Sequence, residues 1–216
     1  AALGRALGTP LPPGRFATRG EVGWTATGLT LATARGRHRD VELQLDGRLG
    51  GEPLGSTAEL RFDLTGPSLA GLRPWVDADV GAKLAWAALP RGRYRSRGTL
   101  RLRPGEQRLQ RASLDVAGHR LDLNGVLGQG PGGAGTDVSF SLAGPDLAAL
   151  RSLAEAPNLP AGAYRASGAL ALTASRLRVR DVDFVVAGAT GRVTASVARP
   201  DALAAGQLDL DLRGPD

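Results

Sequence analysis

The sequence predicts a mainly β protein made of repeated antiparallel meander modules, each of about five strands and a short connecting helix, that form a continuous curled sheet or apolar groove. Three observations carry this reading. A ten-residue phrase occurs as LPPGRFATRG from Leu11, LPRGRYRSRG from Leu89 and LPAGAYRASG from Leu159. A Gly-Pro stands 55 residues after the first leucine of each phrase, at Gly66-Pro67, Gly144-Pro145 and Gly214-Pro215. Between these markers apolar residues fall on alternate positions, the period of a strand with one buried face.

The distance from Gly-Pro to the next phrase varies, 23 residues and then 15, which separates a fixed module from a variable connector. The modules are 11–88 with a long connector, 89–158, and a truncated 159–216; residues 1–10 read as the tail of a preceding module. Ala1-Ala2-Leu3 repeats the Ala148-Ala149-Leu150 that precedes the third phrase. With no methionine anywhere, the chain reads as a segment of a longer repetitive protein. Self-similarity at this period is the mark of an array.

Within the third module the alternating runs are Leu170/Leu172, Leu177/Val179, Val182/Phe184/Val186, Val193/Ala195/Val197 and Leu208/Leu210/Leu212, each read as one strand. The first module opens the same way with Val22/Trp24, Leu29/Leu31 and Val41/Leu43/Leu45. Turn-forming stretches such as Arg103-Pro104-Gly105-Glu106, Ala117-Gly118-His119 and Ala187-Gly188-Ala189 separate successive runs by few enough residues for antiparallel hairpins. Past each Gly-Pro the period changes. Ser68 and Asp146 stand where N-caps belong, and Leu147, Leu150 and Leu153 have helical spacing, predicting a helix of two or three turns ended by Pro157. The longer first connector, with Trp75, Val76, Leu84 and Trp86, is expected to lay a helix over the apolar face.

A sheet with one apolar face cannot leave that face in water: at about 25 cal/mol per Å², the exposed aliphatic side chains would cost tens of kcal/mol. The short helical stretches cannot cover so many strands. A face closed on itself or filled by a bound apolar ligand remains.

Composition excludes several chemistries. Without cysteine there are no disulfides, thiol nucleophiles or zinc-thiolate sites. The net charge of +6, from 26 arginines and one lysine, is thinly spread, and nine aromatic residues make a poor base-stacking platform, so nucleic acid is not an expected partner. No run approaches the roughly 18 apolar residues of a membrane span. His38 and His119 occupy unmatched module positions without clustered carboxylates and are read as exposed turn residues. Gly128-Gln129-Gly130-Pro131-Gly132-Gly133-Ala134-Gly135 lacks the Lys-Ser/Thr of a phosphate loop and reads as a hairpin loop. The carboxylate pairs Asp181/Asp183 and Asp209/Asp211 lie near arginines and read as solvated charge alternation. Trp24, Trp75 and Trp86 read as packing residues. The arginine run at positions 91, 93, 95, 97, 101 and 103 is the sharpest charge feature. It reads as a solvated face, with lipid headgroups as its functional option at Arg93, Arg95 and Arg97. No catalytic constellation, metal site or cofactor motif emerges, and the chain is not expected to be an enzyme.

The module openings, such as Gly98-Thr99-Leu100-Arg101-Leu102, and the closers RFDLTGPSLAGL (61–72) and SFSLAGPDLAAL (139–150) resemble the AsmA-like family of bacterial envelope proteins over nearly the whole chain. The resemblance implies a periplasmic part of a protein anchored in the inner membrane. It also implies a repeating β groove that binds or conducts phospholipid, or another acyl-chain lipid, in outer-membrane biogenesis. Contact with the membrane would run through parts of the parent protein outside this segment, and envelope proteins are further expected partners. In this sequence the groove lining would be Val22, Trp24, Leu43, Leu45, Leu60, Phe62, Leu64, Leu100, Leu102, Leu114, Val116, Leu121, Leu123, Val138, Phe140, Leu142, Leu170, Leu172, Val182, Phe184, Val186, Leu208, Leu210 and Leu212. A different function for the same sheet is an assembly scaffold that offers β edges to outer-membrane proteins and carries no lipid.

Overall fold

The computed structural model describes residues 16–52, 55–75, 89–130, 133–151, 158–198 and 206–213, the last of these by its backbone alone. It is mainly β and antiparallel. The strands are β1 (Phe16–Thr25), β2 (Gly28–His38), β3 (Val41–Gly50), β4 (Thr57–Gly66), β5 (Tyr94–Arg103), β6 (Glu106–Val116), β7 (His119–Leu127), β8 (Thr136–Gly144), β9 (Tyr164–Leu172), β10 (Arg176–Val186), β11 (Ala189–Ala198) and β12 (Gly206–Arg213). Each lies beside its sequence neighbour, and the order is linear, with no closed barrel among the described residues. The chain divides into two compact units, Ala1–Pro104 with Leu114–Ala117, and Gly105–Ser113 with Gly118–Asp216.

Each module therefore supplies four described strands where the alternation suggested about five. The difference has a physical cause. In β10 the apolar residues change parity, from Leu177 and Val179 to Val182, Phe184 and Val186, because a bulge between Val179 and Val182 inserts a residue in a single unbroken strand. The left-handed residue there is Asp181 (φ 47°), and Thr33 and Arg111 hold the same conformation at the same module position, 22 residues past the first leucine of the phrase. A bulge keeps one face apolar while displacing the count by one. The turns repeat as well: Arg39, Ala117 and Ala187, 28 residues past that leucine, all have positive φ at two-residue hairpin turns.

The phrase and the Gly-Pro are explained together at the module joints. The aromatic residue of the phrase opens the first strand of its module, and the glycine of the preceding Gly-Pro is its Cα partner: Gly66 opposite Tyr94, Gly144 opposite Tyr164. The tyrosine ring lies on the glycine. A Cβ on Gly66 would meet Tyr94 Cε1 at 2.7 Å; one on Gly144 would meet Tyr164 Cε1 at 2.7 Å and His119 Nδ1 at 2.3 Å. Only glycine fits beneath the ring.

After the Gly-Pro the backbone forms 3-10 turns at Leu69–Trp75 and Leu147–Leu150; Arg151 continues with helical geometry, and Leu153, on which the expected helix length rests, falls outside the described residues. Asp146 is an N-cap, accepting from Ala148 N and from Gly162 N, both at 3.0 Å; these backbone donors hold its carboxyl below the usual range. Ser68 Oγ takes the equivalent role, accepting from Ala70 N at 3.3 Å. In unit 1, Leu69, Tyr94 and Val116 are buried together, with Leu64, Leu72, Leu89 and Leu114 packed on them. A helix laid by the first connector, Pro157, and the side chains of Trp75 and Trp86 fall outside the described residues.

Both histidines depart from the expectation of exposed turn residues. His38 is 2% exposed and His119 7%. Each flanks a two-residue turn at a strand end but points to the apolar side, where His119 Nδ1 lies 2.8 Å from the Tyr164 hydroxyl. The other modules show why. His38 shares its module position with Val116 and Val186, and His119 with Val41 and Ala189. Among the described residues, the buried Tyr94 hydroxyl has no hydrogen-bond partner, since Val41 replaces the histidine at that joint.

Tyr94→Phe should therefore leave the unfolding free energy unchanged or raise it by up to about 1 kcal/mol, and Tyr164→Phe should lower it by about 1 kcal/mol, because only the second leaves a buried partner unsatisfied. Urea unfolding of the two variants against wild type checks the opposite signs. Burial also pushes the Tyr94 phenol up to about 12 and raises Tyr164. The resulting stability is complete below the unfolded value near 10 and disappears as pH rises toward 12. Tyrosinate absorbance of the native protein should rise above pH 10, and that of the urea-unfolded chain near it; coincident curves would contradict the burial.

Candidate functional site

The register places the apolar side chains in rows that cross the strands. In unit 1 one row is Trp24, Leu29, Leu49, Ala58, Leu102; the next is Val22, Leu31, Gly47, Leu60, Leu100. Two more contain Ala34, Leu45, Phe62, Gly98 and Gly36, Leu43, Leu64, Ser96. Unit 2 repeats the scheme: Leu123 opposite Phe140, Phe140 opposite Gly168, and Val193 opposite both Val182 and Leu210. Leu121, Leu142, Ala166 and Phe184 form a parallel row. A phenylalanine repeatedly faces a glycine, at Phe62/Gly98, Phe140/Gly168 and Phe184/Gly191, so the lane stays even where a large ring protrudes.

The lane is open. Few apolar side chains are fully buried, and these gather at strand ends and in two small clusters. Of the expected lining residues, Leu60, Val116 and Val138 are buried and serve packing. Leu43, Leu45, Phe62, Leu64, Leu100, Leu102, Leu114, Leu121, Leu123, Phe140, Leu142, Leu170, Leu172, Val182, Phe184 and Val186 are half-buried, and Val22 and Trp24 are 55% and 73% exposed. Trp24 is thus no packing residue. Leu208, Leu210 and Leu212 are aligned by backbone register with Ala195, Val193 and Gly191.

The polar face is a lattice of exposed ion pairs. Arg101 donates to Glu59 at 3.1 Å, Arg180 to Asp137 at 2.9 Å, Arg192 to Asp183 at 2.7 Å, and Arg95 grips Asp63 through Nε and Nη2. The hydrogen bond from Arg192 holds the Asp183 carboxyl below the usual range. Solvent screening leaves such exposed pairs little weight in stability; their effect is to define which face meets water. Asp183 is paired with Arg192 on this face, Asp181 is the left-handed residue of the bulge, and the side chains of Asp209 and Asp211 lie outside the described residues. Arg95 and Arg97 alternate with half-buried Ser96 and Gly98, on the face opposite the lane, and Arg95 is engaged by Asp63. These two arginines are therefore not rim residues of the lane; Arg93 stands just before β5. No group of three metal-binding side chains occurs among the described residues.

Comparison with known protein families, curated proteins and solved structures returns no match.

An open apolar face on a folded protein should bind a solvatochromic dye such as 1-anilinonaphthalene-8-sulfonate under native conditions. Phe140→Asp with Leu170→Asp should cut the dye signal at least threefold while Arg178→Ala, on the polar face, leaves it unchanged. A wild type as dark as an ordinary compact domain would mean the lane is covered.

Proposed function

We propose that this chain is a lipid-binding segment whose apolar lane holds or conducts the acyl chains of a phospholipid, as part of an AsmA-like periplasmic protein anchored in the inner membrane. The observation that carries the reading is the pairing of a partly exposed apolar face, continuous from strand to strand within each unit, with an opposite face closed by ion pairs. Five strands about 4.8 Å apart span about 19 Å, the reach of one long acyl chain laid across them. Each methylene that the lane removes from water contributes about 0.8 kcal/mol.

The repeat supports conduction over tight storage. Successive modules offer similar rows, hence similar affinities, and a chain can shift from one row to the next without leaving a deep well. The half-buried state of the lining gives contact without enclosure.

Purification from bacteria without detergent, followed by native mass spectrometry, tests the reading. Wild type should carry phospholipid, and the Phe140→Asp/Leu170→Asp variant, with an unchanged far-ultraviolet spectrum, should retain less than a tenth of it. A wild type that carries none, and takes up none from phospholipid vesicles, would reject the lipid reading in favour of a scaffold whose end strand β1 receives a partner's β edge.

A further inference from the structure

We propose that unit 1 also carries a phosphate-binding site on its polar face, separate from the apolar lane. Across β1 to β5 the charged residues of that face meet opposite or neutral partners: Arg37 faces Glu42, Asp46 faces Arg61, Arg48 faces Glu59, Glu59 faces Arg101, and Asp63 faces Arg97. One pairing breaks the pattern. Arg19 of β1 stands directly opposite Arg35 of β2, and like charges in that relation destabilise a sheet.

The two exposed arginines line a depression of about 540 Å³, together with Arg37, Arg95, Glu42 and Asp63. Four guanidinium groups thus share it with two carboxylates. Both carboxylates are already engaged, Asp63 by Arg95 and Glu42 by Arg37 at 4.0 Å. Among the described residues no carboxylate pairs with Arg19 or Arg35. Among the described residues, therefore, the depression holds two positive charges in excess of its carboxylates.

A phosphate group satisfies that arrangement. It brings up to two negative charges and several acceptor oxygens, which the planar fork of an arginine binds through two parallel N–H donors. The hydroxyl of Thr65 and the amide of Gln44 line the same depression and offer neutral donors beside the arginines. The depression is large enough for a phosphate together with the organic group that bears it. The phosphate ester of a soluble metabolite and a lipid headgroup present the same chemistry.

The test is a titration of the full chain with inorganic phosphate at constant ionic strength, read from the arginine Nε–Hε resonances. Saturable shifts are expected at Arg19 and Arg35. Arg19→Gln with Arg35→Gln should weaken the affinity at least tenfold, and Arg178→Gln should leave it unchanged. Without phosphate, the double variant should unfold no earlier than wild type, because a repulsion has been removed. Shifts that fail to saturate, that chloride reproduces equally, or that survive the double substitution with unchanged affinity overturn the site. Dihexanoyl phosphatidic acid binding at least tenfold more tightly than inorganic phosphate assigns the site to a lipid headgroup; equal affinity assigns it to a soluble phosphate.

Discussion

At each module joint a tyrosine opens the incoming strand, and its Cα partner on the outgoing strand is a glycine with no room for a side chain. The contact fixes register, because a slip of one residue would bring the ring against a residue with a Cβ and turn every apolar side chain of the strand to the other face. The rows that cross the strands follow from this constraint. So do the fixed spacing of phrase and Gly-Pro and the freedom of the connector between them, which bridges two points already held by the ring and its glycine.

The two faces divide the remaining work. On one, the pairing of phenylalanine with glycine and of leucine with leucine maintains an even apolar surface. On the other, charges of opposite sign meet across strands and oppose its burial. A bulge at the same place in the first and third modules lets both faces keep their character through a strand of 11 residues. The Arg19/Arg35 opposition stands out because the rest of the polar face in unit 1 follows the opposite rule.

The module period, the antiparallel meander and the apolar positions were legible because each rests on local spacing that backbone geometry enforces. Strand number was less so. The parity change between Val179 and Val182 imitates a strand boundary, and only pairing with two neighbours shows that the chain continues through a bulge. The N-cap at Asp146 was legible from its place before Leu147 and Leu150, whereas its second contact, with Gly162 N of the next module, depends on the fold bringing the two together. The histidines misled because their type was weighed before their module position. Superposing the modules sets each beside valine or alanine, which signals an apolar site. Which arginines share a face was readable from parity; which of them lack a carboxylate depended on register between strands.

The linear strand order bears on how the chain acquires its structure. Every described strand from β2 to β11 pairs with the one just before it and the one just after, and hairpins such as Ala117-Gly118 and Ala187-Gly188 close over two residues. Within a module no strand waits for a partner made much later, so the loop-closure entropy of those pairings is small. The sheet can grow in step with a chain that emerges from a ribosome or a translocation pore, each finished strand serving as template for the next.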